Sequence, residues 1–389
     1  MENKNSVCYI ASVTEVTPLE GADKIVGAKV NGWPTIIARD EYNVGDYVVI
    51  FADDAIIPQE LVDYLGVSKY LRSGNRVHTV KFNKFNAYST CLVASVEKIR
   101  DYLNTDVDLT EGKDLMELLG VKKYEESTPQ TKLNSSSAQS VPKSNPFMEV
   151  YYKFPNLQNV PDMFSEDDDV QITRKIHGTN ARYGILKKSS TSLKNRFKKL
   201  LRLKMSVADE YEFVYGSHNR VLGKILGVKS YKGFYSDNVW SQVAQEQHIP
   251  EKLLKLAQQL YDLGKLGNGI ELYGEIYGPG IQKNYTYGLK NLEFAAFDIE
   301  IDNKYIPQED TLNYVNQMGL LHVPVLYEGK YSDAVRDQFT YDYFMSDGMR
   351  IPHEGIVIKA VDGNRQKTAK FKNPDFLIYA EKHNVSDGH

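Results

Sequence analysis

A segment almost without large apolar residues divides this chain into two parts of different character. Residues 126–146 read ESTPQTKLNSSSAQSVPKSNP, and a stretch of this composition cannot bury enough apolar surface to offset the entropy lost on ordering. We therefore predict a flexible linker there, between an N-terminal domain at 1–125 and a C-terminal domain at 147–389. A chain of 389 residues has room for two or three domains.

The N-terminal part has the pattern of a small β-barrel. Short runs rich in Val, Ile, Thr and aromatic residues, among them VCYIASVTEV, TIIARD and DYVVIFA, are separated by Gly, Asn or Asp. Strands at this spacing are typical of a barrel or sandwich, and an OB-like barrel fits the length. Residues 114–120 (DLMELLG) predict a short helix that ends at Gly120.

The C-terminal part mixes strands with helices, which makes the whole chain α+β. DVQITRKI, GIELYGEIYG, LEFAAFDIEI and EGIVIKAV read as strands. Residues 250–264 place leucines at helical spacing, with Pro250 near the start and Gly264 at the end. This segment predicts an amphipathic packing helix.

Composition excludes several classes of protein. No apolar run is long enough to span a bilayer, and the start (MENKNSVCYIASVTE) lacks the pattern of a signal peptide. The two cysteines, Cys8 and Cys91, match no metal-ligand spacing and favour a reducing compartment. We therefore expect a cytoplasmic or otherwise intracellular protein that does not bind membranes. A monomer is the default expectation, and the sequence leaves the oligomeric state open.

One basic run stands out against a net charge of −4. Residues 187–204 contain eight Lys or Arg residues and no acid. Such a run is either a solvated surface insertion or an arm that contacts phosphates, and the run alone leaves both open.

Six short polar segments occur in one order along the C-terminal part. Each is weakly specific alone, since a lysine beside a glycine turn is usually a surface turn. A lysine at a strand end before such a turn can nevertheless point into a cleft. The segments are KIHGTN (175–180), SHNR (217–220), YGEIYG (273–278), FAAFDI (294–299), EGIVIK (354–359) and KFK (370–372).

The last segment places two positive charges side by side. On a strand, Lys370 and Lys372 share a face about 6–7 Å apart. Two ammonium groups at this separation repel each other unless an anion such as a phosphate lies between them. A solvated edge strand is the alternative.

The ordered set resembles the covalent nucleotidyltransferases, ligases and capping enzymes that form a lysyl-nucleotide. DNA ligases typically carry aspartate where this chain has His177, and KIHGTN resembles the nick-sealing RNA ligases. DNA ligases and capping enzymes also place an OB domain after the last motif, whereas 17 residues follow Lys372 here. The N-terminal segments look like the OB module of the fifth family of polynucleotide RNA ligases.

This resemblance implies a nucleotidyltransferase domain of antiparallel sheets with flanking helices. It implies an ATP-dependent RNA ligase that seals 3′-OH/5′-phosphate nicks in duplex RNA or RNA-containing duplexes, with Mg²⁺ or Mn²⁺. Lys175 carries the AMP, and cationic surroundings are expected to favour its neutral amine, since a free lysine has a pKa of roughly 10.4. Three alternatives stay open: a catalytically silent nucleic-acid-binding protein, a DNA ligase and a GTP-using capping enzyme.

The resemblance also assigns residues to roles. Lys175, Lys370 and Lys372 are expected to be catalytic, and Glu354 and Asn180 are expected to hold the metal. Glu275 is expected to bind the ribose hydroxyls, and Phe297 to stack on adenine, although Phe297 also fits a core position. The expected nucleotide-binding set is Lys175, Gly178, Asn180, Arg220, Glu275, Phe297, Glu354, Lys370 and Lys372.

Four further basic residues are candidates for contact with nucleic acid. Lys153 precedes the nucleophile, in YYKFPNLQN, and Arg76, Lys81 and Lys84 lie in GNRVHTVKFNKF. OB modules hold nucleic acid through phosphate contacts that do not read sequence. Ordinary solvated residues are the alternative for these four, and a turn residue without a chemical role is the alternative for His177.

Overall fold

The structure, a computed structural model, describes residues 5–104, 110–124, 145–148, 153–188, 206–217, 221–223 and 239–385. The chain forms two compact units. The first unit is Met1–Glu125 with Phe154–Ser165 and Ala369–Lys382, and the second is Glu126–Lys153, Glu166–Thr368 and His383–His389. Most of the predicted linker and of the basic run lies outside the described residues. The predicted domain limits stay predictions.

The first unit is built on a barrel-like antiparallel sheet. Its elements are β1 (Cys8–Pro18), β2 (Ile25–Val30), β3 (Trp33–Ala38), β4 (Tyr47–Ala52), β5 (Ala55–Ile56), α1 (Gln59–Leu65), β6 (Val80–Phe82), β7 (Ala87–Ser89), β8 (Cys91–Ser95), α2 (Val96–Leu103) and β9 (Lys122–Lys123). The strand order is β3-β2-β1-β4-β8. A bulge between Val13 and Glu15 bends β1, so that its first half pairs with β4 and its second half with β2. The predicted OB-type fold is confirmed.

Apolar residues of these strands fill the core of the barrel, and β4 is buried along nearly its whole length. Ile10, Ile50 and Phe51 are fully buried there, packed with Leu61 of α1 and Ile99 of α2. Cys8 and Cys91 are both buried free thiols. The intracellular location predicted from the cysteines stays a prediction.

The helix predicted at residues 114–120 is wrong. The segment makes a single turn, in which the Leu119 amide donates to the Leu115 carbonyl at 2.9 Å. Gly120 ends the turn with a φ of +65°. Leu115 and Leu119 are nevertheless buried against the barrel. The spacing of the apolar residues therefore reflects their burial and not a helix.

The second unit contains a larger and a smaller sheet, both mainly antiparallel, and a separate two-stranded hairpin, with flanking helices. Its elements are β10 (Asp169–Lys175), β11 (Thr179–Lys187), α3 (Val207–Glu210), β12 (Tyr211–Gly216), β13 (Val221–Gly223), α4 (Val239–Glu246), α5 (Ile249–Asp262), β14 (Gly269–Tyr277), β15 (Glu293–Ile301), β16 (Lys304–Tyr305), α6 (Gln308–Gln317), β17 (Leu321–His322), β18 (Val325–Lys330), α7 (Asp333–Thr340), β19 (Tyr343–Ser346), β20 (Met349–Pro352) and β21 (Gly355–Ala360). The chain continues with β22 (Thr368–Lys372) and α8 (Pro374–Lys382). The predicted α+β fold class is confirmed.

The larger sheet has one apolar and one polar face. Its strands follow the order β13-β12-β11-β14-β15-β16, and β17 pairs with β15. The apolar face packs Tyr183, Ile185 and Ile270 against Leu253 and Leu256 of α5, the helix predicted at 250–264. The other face carries the polar side chains of β11, β14 and β15. The smaller sheet places β10 between β18 and β21. Among the described residues, no helix is long and apolar enough to cross a bilayer.

Within the first unit, residues 154–165 attach to the barrel through the side chain of Asn159. Its Oδ1 accepts from Trp33 Nε1 at 2.9 Å and from the Tyr9 hydroxyl at 3.2 Å, and its Nδ2 donates to the Ser6 carbonyl at 3.1 Å. The Gly32 amide donates to the Gln158 carbonyl at 3.1 Å. One amide side chain therefore satisfies polar groups from three places on the barrel.

We expect Asn159→Ala to lower the free energy of unfolding by about 1–3 kcal/mol, because it removes the shorter of the two hydrogen bonds of the buried Trp33 indole and the bonds of Asn159 to Tyr9 and Ser6. Urea denaturation is the measurement. The control is Asn43→Ala at an exposed position, which should change stability by no more than about 0.5 kcal/mol. Equal effects of the two variants would contradict this account of the attachment.

Candidate active site

The geometry of the site starts from the pairing of β10 with β21. Lys175, the last residue of β10, lies opposite Gly355, the first residue of β21. This register brings Lys175 Nζ to 2.6 Å from Oε1 of Glu354. The Glu354 side chain is fully buried, and that of Lys175 is 15% exposed. The nearest described partner of the amine is thus a carboxylate, whereas the sequence analysis expected cationic surroundings.

Gly178 allows the turn after Lys175 to lie directly on β14. A Cβ at this position would overlap the carbonyl oxygen of Ile276 and approach Glu275 Cγ at 2.9 Å. No other residue therefore fits without moving the backbone. The Gly178 amide donates to the Glu275 carboxyl group, and the Gly178 carbonyl accepts from Gln282 Nε2 at 2.6 Å.

Glu275 is the second carboxyl group beside the amine. It lies on β14 opposite Asn180 of β11. Burial raises the pKa of Glu275 to about 8, the negative charge of Glu354 acts in the same direction, and the charge of Lys175 and the Gly178 amide oppose them. At neutral pH Glu275 is therefore mainly protonated, and Glu354 is left to carry the negative charge of the site.

His177 lies inside the site and is only 2% exposed. Its Nδ1 is 3.6 Å from Glu354 Oε2, and its ring meets the Tyr285 ring edge-on at a centroid distance of 5.2 Å. The His177 amide donates to the Tyr287 hydroxyl at 2.6 Å. His177 is thus buried beside Glu354, and both a role in the site and the alternative of a turn residue without a chemical role stay open.

Phe297 lies in a β-bulge of β15. The register of β14 with β15 shifts between Tyr273 and Gly274, so that Phe297 has no partner across the strands. Lys359 Nζ donates to the Phe297 carbonyl at 2.6 Å and to Asp298 Oδ1 at 2.8 Å. Arg365 also pairs with Asp298. Phe297 is half-buried, and its stacking on adenine stays a prediction.

Two of the expected metal ligands fit a hydrated divalent cation. Asn180 Oδ1 is buried and has no hydrogen-bond partner among the described residues, and Glu354 supplies a buried carboxylate. Mg²⁺ and Mn²⁺ take such oxygen ligands, and Mg²⁺ commonly uses one or two carboxylates plus waters. The described residues contain no cluster of three or more His, Cys, Asp or Glu that could hold a metal by itself.

Of the remaining candidates for nucleotide or nucleic-acid binding, the structure describes Lys370, Lys372 and Lys153. Lys370 and Lys372 are half-buried on one face of β22, and Phe371 is buried between them, as the alternation of a strand requires. Their action on the Lys175 site stays a prediction, because they belong to the first compact unit. Arg220 lies outside the described residues. Lys153 is exposed, and its contact with nucleic acid stays a prediction.

The three basic candidates of the barrel make contacts within the first unit. Arg76 forms an ion pair with Asp54 and stacks on Tyr124 at 3.8 Å. Lys81 Nζ is 3.2 Å from Asp375 of α8. Lys84 is exposed and donates to the Gly21 carbonyl at 3.2 Å. These contacts favour a structural role for Arg76, and the nucleic-acid role of all three stays a prediction.

The sequence analysis missed residues that support the site from a distance. Tyr285 and Tyr287 contact the turn after Lys175, and Arg365 pairs with Asp298. The two tyrosines had a weak signal, since NYTYG is an aromatic run beside a glycine. Arg365 had none.

Two models of known protein families match this chain. A family model described as RNA ligase matches residues 168–372, and a model of an OB-fold domain matches residues 7–94. A comparison with curated proteins finds no match.

Solved structures of Naegleria gruberi RNA ligase have a similar fold. The structure with PPi has a TM-score of 0.68 and 21% sequence identity over 98% of this chain and 99% of that chain. A mutant with ATP and Mn has a TM-score of 0.67 and 21% identity over 98% and 99%. A mutant with AMP and Mn has a TM-score of 0.67 and 21% identity over 97% and 99%.

We expect Lys359→Met to lower the free energy of unfolding by about 3–5 kcal/mol, because it leaves the buried Asp298 without one of its two cations. Urea denaturation measures the change. The control is Lys330→Met, which breaks the exposed pair with Asp169 and should cost less than about 1 kcal/mol. Similar costs for both variants would argue against a buried charge network at Asp298.

The raised pKa of Glu275 predicts a specific pH dependence of stability. The pKa is about 8 in the folded protein and roughly 4.3 in an unfolded chain, so the folded state binds the extra proton. Stability contributed by this proton is full below the unfolded value and is lost as pH rises through the folded value. Glu275→Gln cannot lose a proton. The melting temperature of Glu275→Gln, relative to that of the unmodified protein, should therefore rise as the pH is raised from about 5.5 to about 8.5.

The control for this measurement is Glu309→Gln at an exposed position, whose melting curve should follow that of the unmodified protein at every pH. Parallel pH profiles for Glu275→Gln and the unmodified protein would show that Glu275 is ionised throughout.

Proposed function

The chain belongs to the RNA ligase family, and on this premise we propose that it is an ATP-dependent RNA ligase that works through a covalent AMP on Lys175. The observation that carries the proposal is the 2.6 Å contact between Lys175 Nζ and the buried Glu354, at the start of a turn held against Glu275. A lysine held this way is oriented toward one point. This is what a nucleophile requires and a surface lysine lacks.

The proposed reaction has three transfers at phosphorus. The Lys175 amine loses a proton and attacks the α-phosphorus of ATP, which forms a nitrogen–phosphorus bond and releases pyrophosphate. AMP then passes to the 5′-phosphate of the nucleic acid, and the lysine is restored. Finally the 3′-OH attacks this activated phosphate, which forms the phosphodiester and releases AMP.

The residues of the site fit the first transfer. Before it attacks, the amine has to leave the Glu354 carboxylate, which lies 2.6 Å away. Glu275, with its proton on, can donate a hydrogen bond to a ribose oxygen. Phe297, displayed by the bulge, offers a ring on which adenine can stack. Lys370 and Lys372 are proposed to neutralise charge that develops on the α-phosphate, as preorganised cations do in phosphoryl transfer.

Glu354 and Asn180 are proposed to hold a divalent metal, Mg²⁺ or Mn²⁺. When bound, the metal supplies positive charge that offsets the carboxylate and the phosphates. The Naegleria gruberi ligase structures with ATP and Mn, and with AMP and Mn, support ATP and a divalent metal as partners of this chain as well.

The proposed substrate is a 3′-OH/5′-phosphate nick in duplex RNA or an RNA-containing duplex. The family match supports RNA, and the OB-fold module supports phosphate contacts beside the break. Arg220, Lys153, Lys81 and Lys84 are the basic residues proposed to contact the nucleotide or the nucleic acid.

We expect the protein to gain one AMP when incubated with ATP and a divalent metal, seen by mass spectrometry of the intact chain. Lys175→Arg should gain none, because a guanidinium keeps the charge but is not a nucleophile at neutral pH. The matched control is Lys290→Arg at an exposed site, which should gain AMP normally. An adduct on Lys175→Arg, or none on the unmodified protein with either ATP or GTP, would refute the proposal.

Sealing of matched nicks tests the substrate. Nicks with RNA on both sides of the break should be joined at least about tenfold faster than nicks with DNA at the 3′-OH side, because a site that binds a 2′-hydroxyl leaves polar groups unpaired without it. Equal rates would identify a ligase that does not distinguish the sugar.

A further inference from the structure

A chain of hydrogen bonds links the turn after Lys175 to the segment before Glu354. The His177 amide donates to the Tyr287 hydroxyl at 2.6 Å. The Tyr287 hydroxyl is hydrogen-bonded to that of Tyr285, and the Tyr285 hydroxyl donates to the Pro352 carbonyl at 2.8 Å. His177 lies two residues after the nucleophile, and Pro352 lies two residues before the carboxylate.

The direction of each bond is fixed by its neighbours. A backbone amide can only donate, and a backbone carbonyl can only accept. The Tyr285 hydroxyl has used its proton on Pro352, so its oxygen can accept from Tyr287, which in turn accepts from His177. Burial keeps the pKa of Tyr287 well above its ordinary value, so the Tyr287 hydroxyl retains the proton that it donates to Tyr285 at neutral pH.

Packing around the two rings holds the chain in place. Tyr287 meets Tyr285 edge-on at a centroid distance of 4.8 Å, stacks with Phe344 at 5.1 Å and meets Tyr277 edge-on at 5.3 Å. Tyr287 has a φ of +58°, a backbone conformation that is rare and strained for a bulky side chain. This strain is a second, independent sign that the position of the hydroxyl matters.

We propose that Tyr285 and Tyr287 are positioning residues that set the distance between the Lys175 amine and the Glu354 carboxylate. The two loops are also joined at this end by the pairing of Lys175 with Gly355, by the contact of His177 Nδ1 with Glu354 Oε2 at 3.6 Å, and by the Lys175–Glu354 ion pair, which has to open during the reaction. When the amine leaves Glu354 to attack phosphorus, the tyrosine chain keeps both loops in register. The inference rests on the proposed function and names residues outside the six motifs.

The test is the rate of AMP transfer to Lys175 in Tyr287→Phe, which removes one oxygen and keeps the ring. At saturating ATP this rate should fall by about 10–100-fold, because small misplacements of reacting groups cost up to that much. The ATP concentration for half-maximal rate should change less than about threefold. A purely structural role would instead lower the melting temperature and leave the rate per folded molecule unchanged.

Two further variants sharpen the test. Tyr285→Phe breaks the next hydrogen bond of the same chain and should reduce the rate by a similar factor. The double variant Tyr285→Phe/Tyr287→Phe should be no slower than either single variant, because each single substitution already interrupts the whole chain. Tyr277→Phe is the matched control, since its ring contacts Tyr287, and it should keep the full rate.

A full rate in Tyr287→Phe, losses that multiply in the double variant, or an equal loss in Tyr277→Phe would overturn the inference while leaving the proposed function intact. Absence of AMP transfer in the unmodified protein would overturn the proposed function and this inference with it.

Discussion

Complete burial of the Glu354 carboxylate is the constraint on which the arrangement of this site depends. A carboxylate with no access to water needs a cation and hydrogen bonds, or it becomes protonated. The pairing of β10 with β21 supplies the cation, since it sets Lys175 opposite Gly355. The same register that builds the smaller sheet therefore fixes the nucleophile, and a slip by one residue would turn Lys175 to the other face.

The balance of charge follows from that first pair. One amine faces two carboxyl groups, and burial resolves the excess by keeping Glu275 protonated. The site thus holds one ion pair and one neutral acid before any nucleotide arrives. Anionic phosphates meet a single full negative charge, which a metal at Glu354 and Asn180 can offset, and so the repulsion between protein and ATP is smaller than the residue types alone indicate.

Much of this could be read from the sequence, and the limits of that reading have a physical origin. Lys175, Gly178, Glu275 and Glu354 each lie in a local motif, and the pattern placed Lys175 at the end of a strand before a glycine turn. Contacts between remote residues leave no local pattern. The amide of His177 meets a hydroxyl 110 residues away, and the helix predicted at 114–120 failed because burial of two leucines requires only one turn.

The buried ion pairs of Asp298 show how residues outside the motifs can fix the geometry of this site. Lys359 and Arg365 both pair with this buried carboxylate, and Lys359 also holds the Phe297 carbonyl of the bulge. A buried ion pair is often no more stable than apolar residues of the same volume, so stability alone does not explain it. Its geometry does, because directional bonds fix the bulge, and with it the ring of Phe297, to one position. The hydrogen bonds of Tyr285 and Tyr287 fix the position of the turn after Lys175 in the same way. In both places, polar groups buried at a cost in desolvation hold a loop to one geometry that apolar packing alone would leave loose.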